Sequence, residues 1–344
     1  MLNSSKQKRQ YQTFNYPKAK PGGKTLLTGI RGKIIGNPCQ VYISGFYDYP
    51  DGSKVDAFVY RGNLEGGGSW NVLNYPSAPG RSVTATNLYG PNNGLNDEIQ
   101  VVGNYTMAEA GKSAIGCLYE GPLNGSGKWT TLIPSSDNGD PVINTIAHST
   151  MGGLVVGNYD TQLDQGKAFI YDIEKNIYHY ITKENAKSIT AYGIWHNGGD
   201  SYTICGGYSN LDIQSGLDSG YLVHWNNRTK HFSDWTSYNY DNDPLKAIVT
   251  HFDGITSDGC GGYNLTGDWL GVDRSSPELA FFANVKSKHS SQCIKSKFGK
   301  ATWSSISYPG NGIIITSGNS VYKNVVIGVY KHLKDSTVNG YISY

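Results

Sequence analysis

The stretch Leu154-Val155-Val156-Gly157-Asn158-Tyr159 decides the reading of this chain. It is an apolar run that ends in Gly, any residue, Tyr. The same order returns at Gly45/Tyr47, Gly103/Tyr105, Gly206/Tyr208, Gly261/Tyr263 and Gly328/Tyr330. Successive glycines stand 58, 54, 49, 55 and 67 residues apart. Self-similarity at this period signals a repeat architecture, with propeller blades among the options. Each unit reads as four strands. The first is a run such as Ser188-Ile189-Thr190-Ala191-Tyr192-Gly193-Ile194, and the second is the Gly-x-Tyr strand. The third is aromatic, as in Ala168-Phe169-Ile170-Tyr171, and the fourth often opens with Trp, as in Trp70-Asn71-Val72-Leu73-Asn74-Tyr75-Pro76. β-Branched and aromatic residues bounded by Gly, Pro, Asn and Asp are strand chemistry.

The chain ends supply an independent test. The sixth unit stops at Tyr344, inside its third strand. The segment Tyr11-Gln12-Thr13-Phe14-Asn15-Tyr16-Pro17 matches Trp70 to Pro76 position by position. The N-terminal strand, about 11–17, is therefore expected to complete the last blade with the C-terminal strands. That pairing closes the ring and removes open edges. The expected fold is all-β: a six-bladed β-propeller of four-stranded blades, one domain over residues 1–344, with residues 1–10 as a flexible tail. A six-unit solenoid would not need the split unit.

Composition agrees. Among 344 residues, 16% are charged, with 44 Gly, 26 Tyr and only 3 Met, a mix that disfavours a helical bundle. No apolar run approaches the length of a membrane-spanning helix. The start, Met1 to Arg9, is basic without a following apolar segment, so no secretory signal peptide is seen; a cytoplasmic location or export by another route is expected. The five cysteines (Cys39, Cys117, Cys205, Cys260, Cys293) show no CxxC spacing, so neither a zinc site nor a full disulfide framework is expected. Nucleotide loops, the zincin helix and the nucleophile elbow are absent.

Phe14-Asn15-Tyr16-Pro17, Gly29-Ile30, Val155-Val156-Gly157-Asn158-Tyr159 and Ala168-Phe169-Ile170-Tyr171 together resemble the HAF-type repeat of bacterial proteins. The resemblance departs at the longer loops Gly32 to Cys39 and Tyr89 to Glu98. It implies a β-propeller, often on extracellular proteins, and it implies no reaction.

Two groups of candidate site residues follow from the expected ring. At the start of the first strands stand Lys24, Arg81, Asp140, Lys187, Lys246 and Asn311, four of them basic. In a closed ring they would meet at one channel mouth and focus a positive field on an anionic ligand. Toward the other ends stand Arg31, Tyr89, His148, Trp195, His196, His251 and Asp253. His251 and Asp253 share one strand face, because side chains alternate. The three histidines would form an acid–base or metal cluster near the opposite mouth; solvated turn lysines and hydrogen-bonded histidines are the plainer alternatives. No cofactor or metal is expected, apart from a weak calcium candidate at the turns Asp137/Asp140 or Asp241/Asp243. Trp195, Trp235 and Trp269 lie off the repeat positions and are expected to be exposed.

Charge is uneven along the chain. Residues 1–47 and 279–334 each hold eight Lys or Arg and no acid, whereas residues 48–278 are acidic. Closure would join the two basic stretches into one sector, with Lys286, Lys288, Lys295, Lys297 and Lys300 on one long loop. Such polarity suits a protein partner, self-association, or an anionic glycan or other polyanion. The resulting expectation is a non-catalytic propeller scaffold for binding or assembly. The alternatives are a carbohydrate-active hydrolase or lyase, or a lectin, with its site at the channel mouth.

Overall fold

The structure is a computed structural model that describes residues 9–34, 36–37, 39–109, 113–136, 139–210, 218–272, 279–288 and 297–344, without the side chains of Lys288 and Lys297. Asp137, Cys293, Lys295 and the first eight residues of the expected tail lie outside the described residues. The described chain is all-β and contains no α-helix; none of its helices is long and apolar enough to cross a membrane.

After β1 (Tyr11–Thr13), strands follow in antiparallel meanders. The first holds β2 (Lys24–Gly32), β3 (Val41–Asp48), β4 (Val55–Asn63) and β5 (Gly66–Val72). The second holds β6 (Val83–Asn93), β7 (Ile99–Met107), β8 (Ile115–Gly121) and β9 (Lys128–Leu132). The third holds β10 (Val142–Met151), β11 (Leu154–Thr161), β12 (Lys167–Asp172) and β13 (Ile177–Ile181). The fourth holds β14 (Ala186–Gly198), β15 (Ser201–Asn210), β16 (Asp218–Asn226) and β17 (His231–Tyr238). The fifth holds β18 (Ala247–Ser257), β19 (Gly262–Gly271), β20 (Leu279–Lys288) and β21 (Lys297–Ile306). The last opens with a broken first strand, β22 (Ile313–Thr316) and β23 (Ser320–Tyr322), followed by β24 (Val325–His332) and β25 (Val338–Ser343). The hydrogen-bonded sheets do not join into one closed sheet; they have 13, 4 and 8 strands. Lone parallel bridges, such as Lys24 to Val338 and Val55 to Ala85, link some neighbouring meanders.

The repeated glycine has a steric cause. A Cβ at Gly45, Gly103, Gly157 or Gly206 would collide with the carbonyl oxygen of Leu26, Asn87, Ile146 or Thr190 on the neighbouring strand, and one at Gly328 with that of Ser317 in the break between β22 and β23. Only glycine permits so close a backbone approach. In the fifth meander the equivalent contact, onto the His251 carbonyl, is made by Gly267, with Trp269 two residues on. This corrects the Gly261/Tyr263 assignment: Gly261 has φ +81° in the turn between β18 and β19. The other correction is aromatic. Trp195, Trp235 and Trp269 are partly buried, with Trp235 stacked on Tyr221 at 4.3 Å and Trp269 on Tyr240 at 4.1 Å.

The chain ends meet. β1 pairs antiparallel with β25, Tyr11 opposite Ser343 and Thr13 opposite Tyr341, and the Phe14 N–H continues to the Gly340 carbonyl at 2.8 Å. The segment after β1 then repeats a bond made elsewhere in the fold. The Tyr16 N–H donates to Thr25 Oγ1 at 3.3 Å. Tyr75 to Thr86 (3.0 Å), Tyr240 to Thr250 (2.8 Å) and Tyr308 to Thr316 (3.1 Å) are the same bond. Phe14 and Tyr16 are buried against Phe58, Tyr60 and Trp70 of the first meander. The N-terminal segment thus finishes one sheet and packs on the next.

Removal of residues 1–17 is expected to lower the melting temperature and to promote association through the uncovered edge of β25; calorimetry and sedimentation would measure both. The close approach at Gly206 predicts that Gly206→Ala costs about 1–3 kcal/mol or more in a denaturant titration.

Candidate functional site

The first strands β2, β6, β10, β14, β18 and β22–β23 lie against one another in turn, and β23 returns to β2. Specific contacts carry this circuit. Gly29 packs on Pro91, Gly90 on Ser149, Gly193 on Ile255 and Gly254 on Ser320. The His148 and Tyr192 rings lie 4.1 Å apart, and Asn319 Nδ2 donates to the Leu27 carbonyl at 2.7 Å. A narrow cavity lies where these strands meet. Its lining includes Thr28, Arg31, Gly90, His148, Tyr192, Asp253 and Ser320, so six strands of the circuit, β2, β6, β10, β14, β18 and β23, each contribute to it.

Irregular pairing aims these side chains. The antiparallel register slips between Leu27 and Gly29, Leu88 and Pro91, Ala147 and Ser149, Ala191 and Gly193, and Phe252 and Gly254. The residues left over are Thr28, Tyr89 with Gly90, His148, Tyr192 and Asp253. A bulge turns one side chain out of its ladder and bends the strand. Here each bulge falls two residues after the carbonyl that the repeated glycine touches. The result is a belt of rings: Tyr89 to His148 at 5.1 Å, His148 to Tyr192 at 4.1 Å, and Tyr192 to His251 at 4.3 Å.

The belt has distinct electrostatics. Burial pushes the His148 imidazolium down to about 3, with the neighbouring His251 adding and the Asn158 bond opposing. His148 is therefore neutral at ordinary pH, its Nε2 2.5 Å from Asn158 Oδ1. Burial raises the Tyr89 phenol to about 12, and burial with the Asp253 charge pushes the Tyr192 phenol well up. Both phenols keep their protons. His251 Nδ1 lies 2.9 Å from Asp253 Oδ1, and its Nε2 lies 3.2 Å from Thr190 Oγ1. The carboxylate holds the proton on Nδ1 and leaves a lone pair on Nε2, the arrangement of an oriented general base. The two side chains keep 23% and 17% exposure, so solvent reaches them. A Cβ at Gly207 would strike the His251 ring, so this glycine makes the ring's seat.

The second expected group is thus brought together in part. Arg31, Tyr89, His148, His251 and Asp253 belong to the belt or the cavity. His196 does not: its ring stacks on Tyr202 at 4.6 Å and its Nε2 bonds the Gly199 carbonyl at the β14–β15 turn. Tyr192 takes the place expected of it. The repeat offset signals this residue, because Tyr192 follows Thr190 as His148 follows Ile146. The first group stands at the starts of the first strands. Lys24 pairs with Asp48 at 2.6 Å, Lys246 pairs with Asp241, the Asp140 carboxylate accepts the Leu163 N–H, and the Asn311 carbonyl is bonded to His332. Arg81 and Lys187 are exposed. At the calcium candidates, Asp241 is engaged by Lys246, and Asp243 caps the Leu245 N–H at 2.9 Å. Among the described residues no group of three or more His, Cys, Asp or Glu is placed to share a metal ion.

No family model matches the chain, and no curated protein matches it; the resemblance to HAF-type repeats gains no support there. Among solved structures, an ulvan lyase of polysaccharide lyase family PL25 is similar with 11% identity and a TM-score of 0.40, over 92% of this chain and 84% of that one. Fructan 1-exohydrolase IIa from Cichorium intybus is similar with 9% identity and a TM-score of 0.38, over 82% of this chain. This chain spans 54% of the exohydrolase's length. Both overlaps are loose, so the chemistry of this chain has to be read from its own side chains.

The partly buried, neutral His148 makes the fold sensitive to acid. Its pKa lies near 3 when folded and near 6.5 when unfolded, so the unfolded chain binds the extra proton between those values. This contribution to stability is complete above about 6.5 and declines as pH falls toward about 3. Denaturant titrations across that window should show the decline, and His148→Gln should flatten it.

Proposed function

We propose that this chain is a single-domain, six-bladed β-propeller carrying an acid–base site at its axis, and that it acts on an anionic carbohydrate as a lyase. The blade count is supported by the circuit of first strands and by β1 completing the last sheet. The observation that carries the activity is the His251–Asp253 pair: an imidazole oriented at 2.9 Å on a side chain that solvent partly reaches, with its Nε2 against the Thr190 hydroxyl on the side away from the carboxylate.

The carboxylates choose between hydrolysis and elimination. Two-carboxylate hydrolysis needs a free acid and a second carboxylate flanking one bond. Here Asp253 is committed to His251. Asp160 holds the Gly166 N–H and the Asn144 amide, and Asp268 holds the Gly318 N–H. An oriented imidazole instead suits abstraction of the proton on the carbon beside a sugar carboxylate. The pair of electrons released forms a double bond as the glycosidic oxygen leaves from the next carbon, and a protonated group returns a proton to that oxygen. The Tyr192 phenol, held protonated beside His251, is placed to be that acid. The cavity beneath is too narrow for a sugar, so the substrate would lie across the mouth above His251.

Polyuronides incubated with the protein should yield unsaturated products detectable by ultraviolet absorbance. His251→Ala should lower the rate by roughly 10²-fold or more, as loss of a general base does. Absence of such a product from every polyuronide, or an unchanged rate in His251→Ala, would defeat the reading. A second reading, the scaffold, is supported by the pairing of β1 with β25, which sets the N-terminal segment beside the last sheet. It predicts partner binding or self-association that weakens as salt is added.

A further inference from the structure

We propose that the axial cavity holds one monovalent anion of chloride size against the Arg31 guanidinium. Arg31 is 7% exposed and lines the cavity at the far end of β2. Its Nε and Nη1 meet no hydrogen-bond acceptor among the described residues. Its guanidinium carbon lies 5.3 Å from the centre of the Trp195 ring. The face of an indole attracts a cation, yet it does not satisfy directed N–H groups. Buried donors left without acceptors are costly and uncommon in native folds.

Size selects the ligand. The cavity has room for about one water molecule. A halide fits such a space, whereas sulfate, phosphate or a sugar carboxylate with its ring does not. A further donor is at hand: Ser320 Oγ accepts the Ile30 N–H at 3.3 Å, which leaves its own O–H to turn toward an anion. Burial also pulls the Arg31 pKa down to about 10, still far above ordinary pH, so the guanidinium stays charged. The charge needs a counterpart inside the fold.

One competing arrangement exists. Asp253 lines the same cavity, and a water bridging it to Arg31 would pair the two charges without an ion. Against this, Asp253 already accepts from His251 and is partly solvated, whereas the Arg31 donors are buried. The inference stands apart from the acid–base reading, which assigns Arg31 no part.

The test compares thermal unfolding of the full chain in sodium chloride and sodium gluconate at matched ionic strength. Chloride should raise the melting temperature by about 2 °C or more, with saturation, as a ligand of the folded state does. Arg31→Gln should abolish the difference. Should that variant not fold, a bromide-soaked crystal of the unaltered protein answers independently, with one anomalous peak expected beside Nε and Nη1. Asp253→Asn separates the two arrangements. With an anion bound, removal of the carboxylate enlarges the chloride response. With a water-bridged ion pair, it lowers stability equally in both salts. Equal melting temperatures in chloride and gluconate, or a cavity without bromide, would overturn the proposal.

Discussion

A backbone contact organises this protein: a glycine on the second strand of each meander lies against a carbonyl oxygen of the first strand. No side chain fits between them, so the two strands are locked at one height. Where the first strand bulges, it does so two residues further on. The bulge frees one side chain from the ladder and turns it inward. The contact therefore sets both the register of the sheet and the level at which chemistry gathers. His148, Tyr192 and Asp253 occupy that level because of their distance from Gly157, Gly206 and Gly267.

A second recurring bond orders the outside. The threonine hydroxyl of a first strand accepts an N–H from the tyrosine that follows the preceding fourth strand. It recurs at four junctions, onto β2, β6, β18 and β22, and at the first three of these a tryptophan of the next sheet lies against the tyrosine ring. Tyr16 and Thr25 make this bond although the preceding strand, β1, opens the chain and belongs to the last sheet. Tyr16 and Thr25 are as close along the chain as their counterparts, so the long-range closure is carried by the β1–β25 pairing, with Tyr11 opposite Ser343, where the other meanders use a short hairpin.

Burial and exposure divide the belt's chemistry. Close packing around the belt, at residues that are only partly buried, holds His148 neutral and keeps the phenols of Tyr89 and Tyr192 protonated, so most of the belt carries no charge. His251 and Asp253 remain reachable from solvent. Arg31 differs again, charged and enclosed, with an aromatic face in place of an acceptor. A belt of neutral rings with one oriented imidazole and one enclosed cation is polar without being a simple ion-pair network.

Local patterns along the chain are enough for the all-β class, the order of strands in each meander and the return of the N-terminal segment to the last sheet. Those patterns are apolar alternation, turn residues and a short motif that repeats. The motif misled once, because Gly261 and Tyr263 imitate it in a turn while Gly267 and Trp269 occupy the place. Distance along the chain could name His148, His251 and Asp253 as candidates, yet it also named His196. Only the tertiary structure separated them. A bulge is a property of two strands paired together, and neither strand shows it alone. Burial likewise depends on what packs above a residue. For that reason the neutrality of His148 and the unmatched donors of Arg31 were decided by the assembled fold.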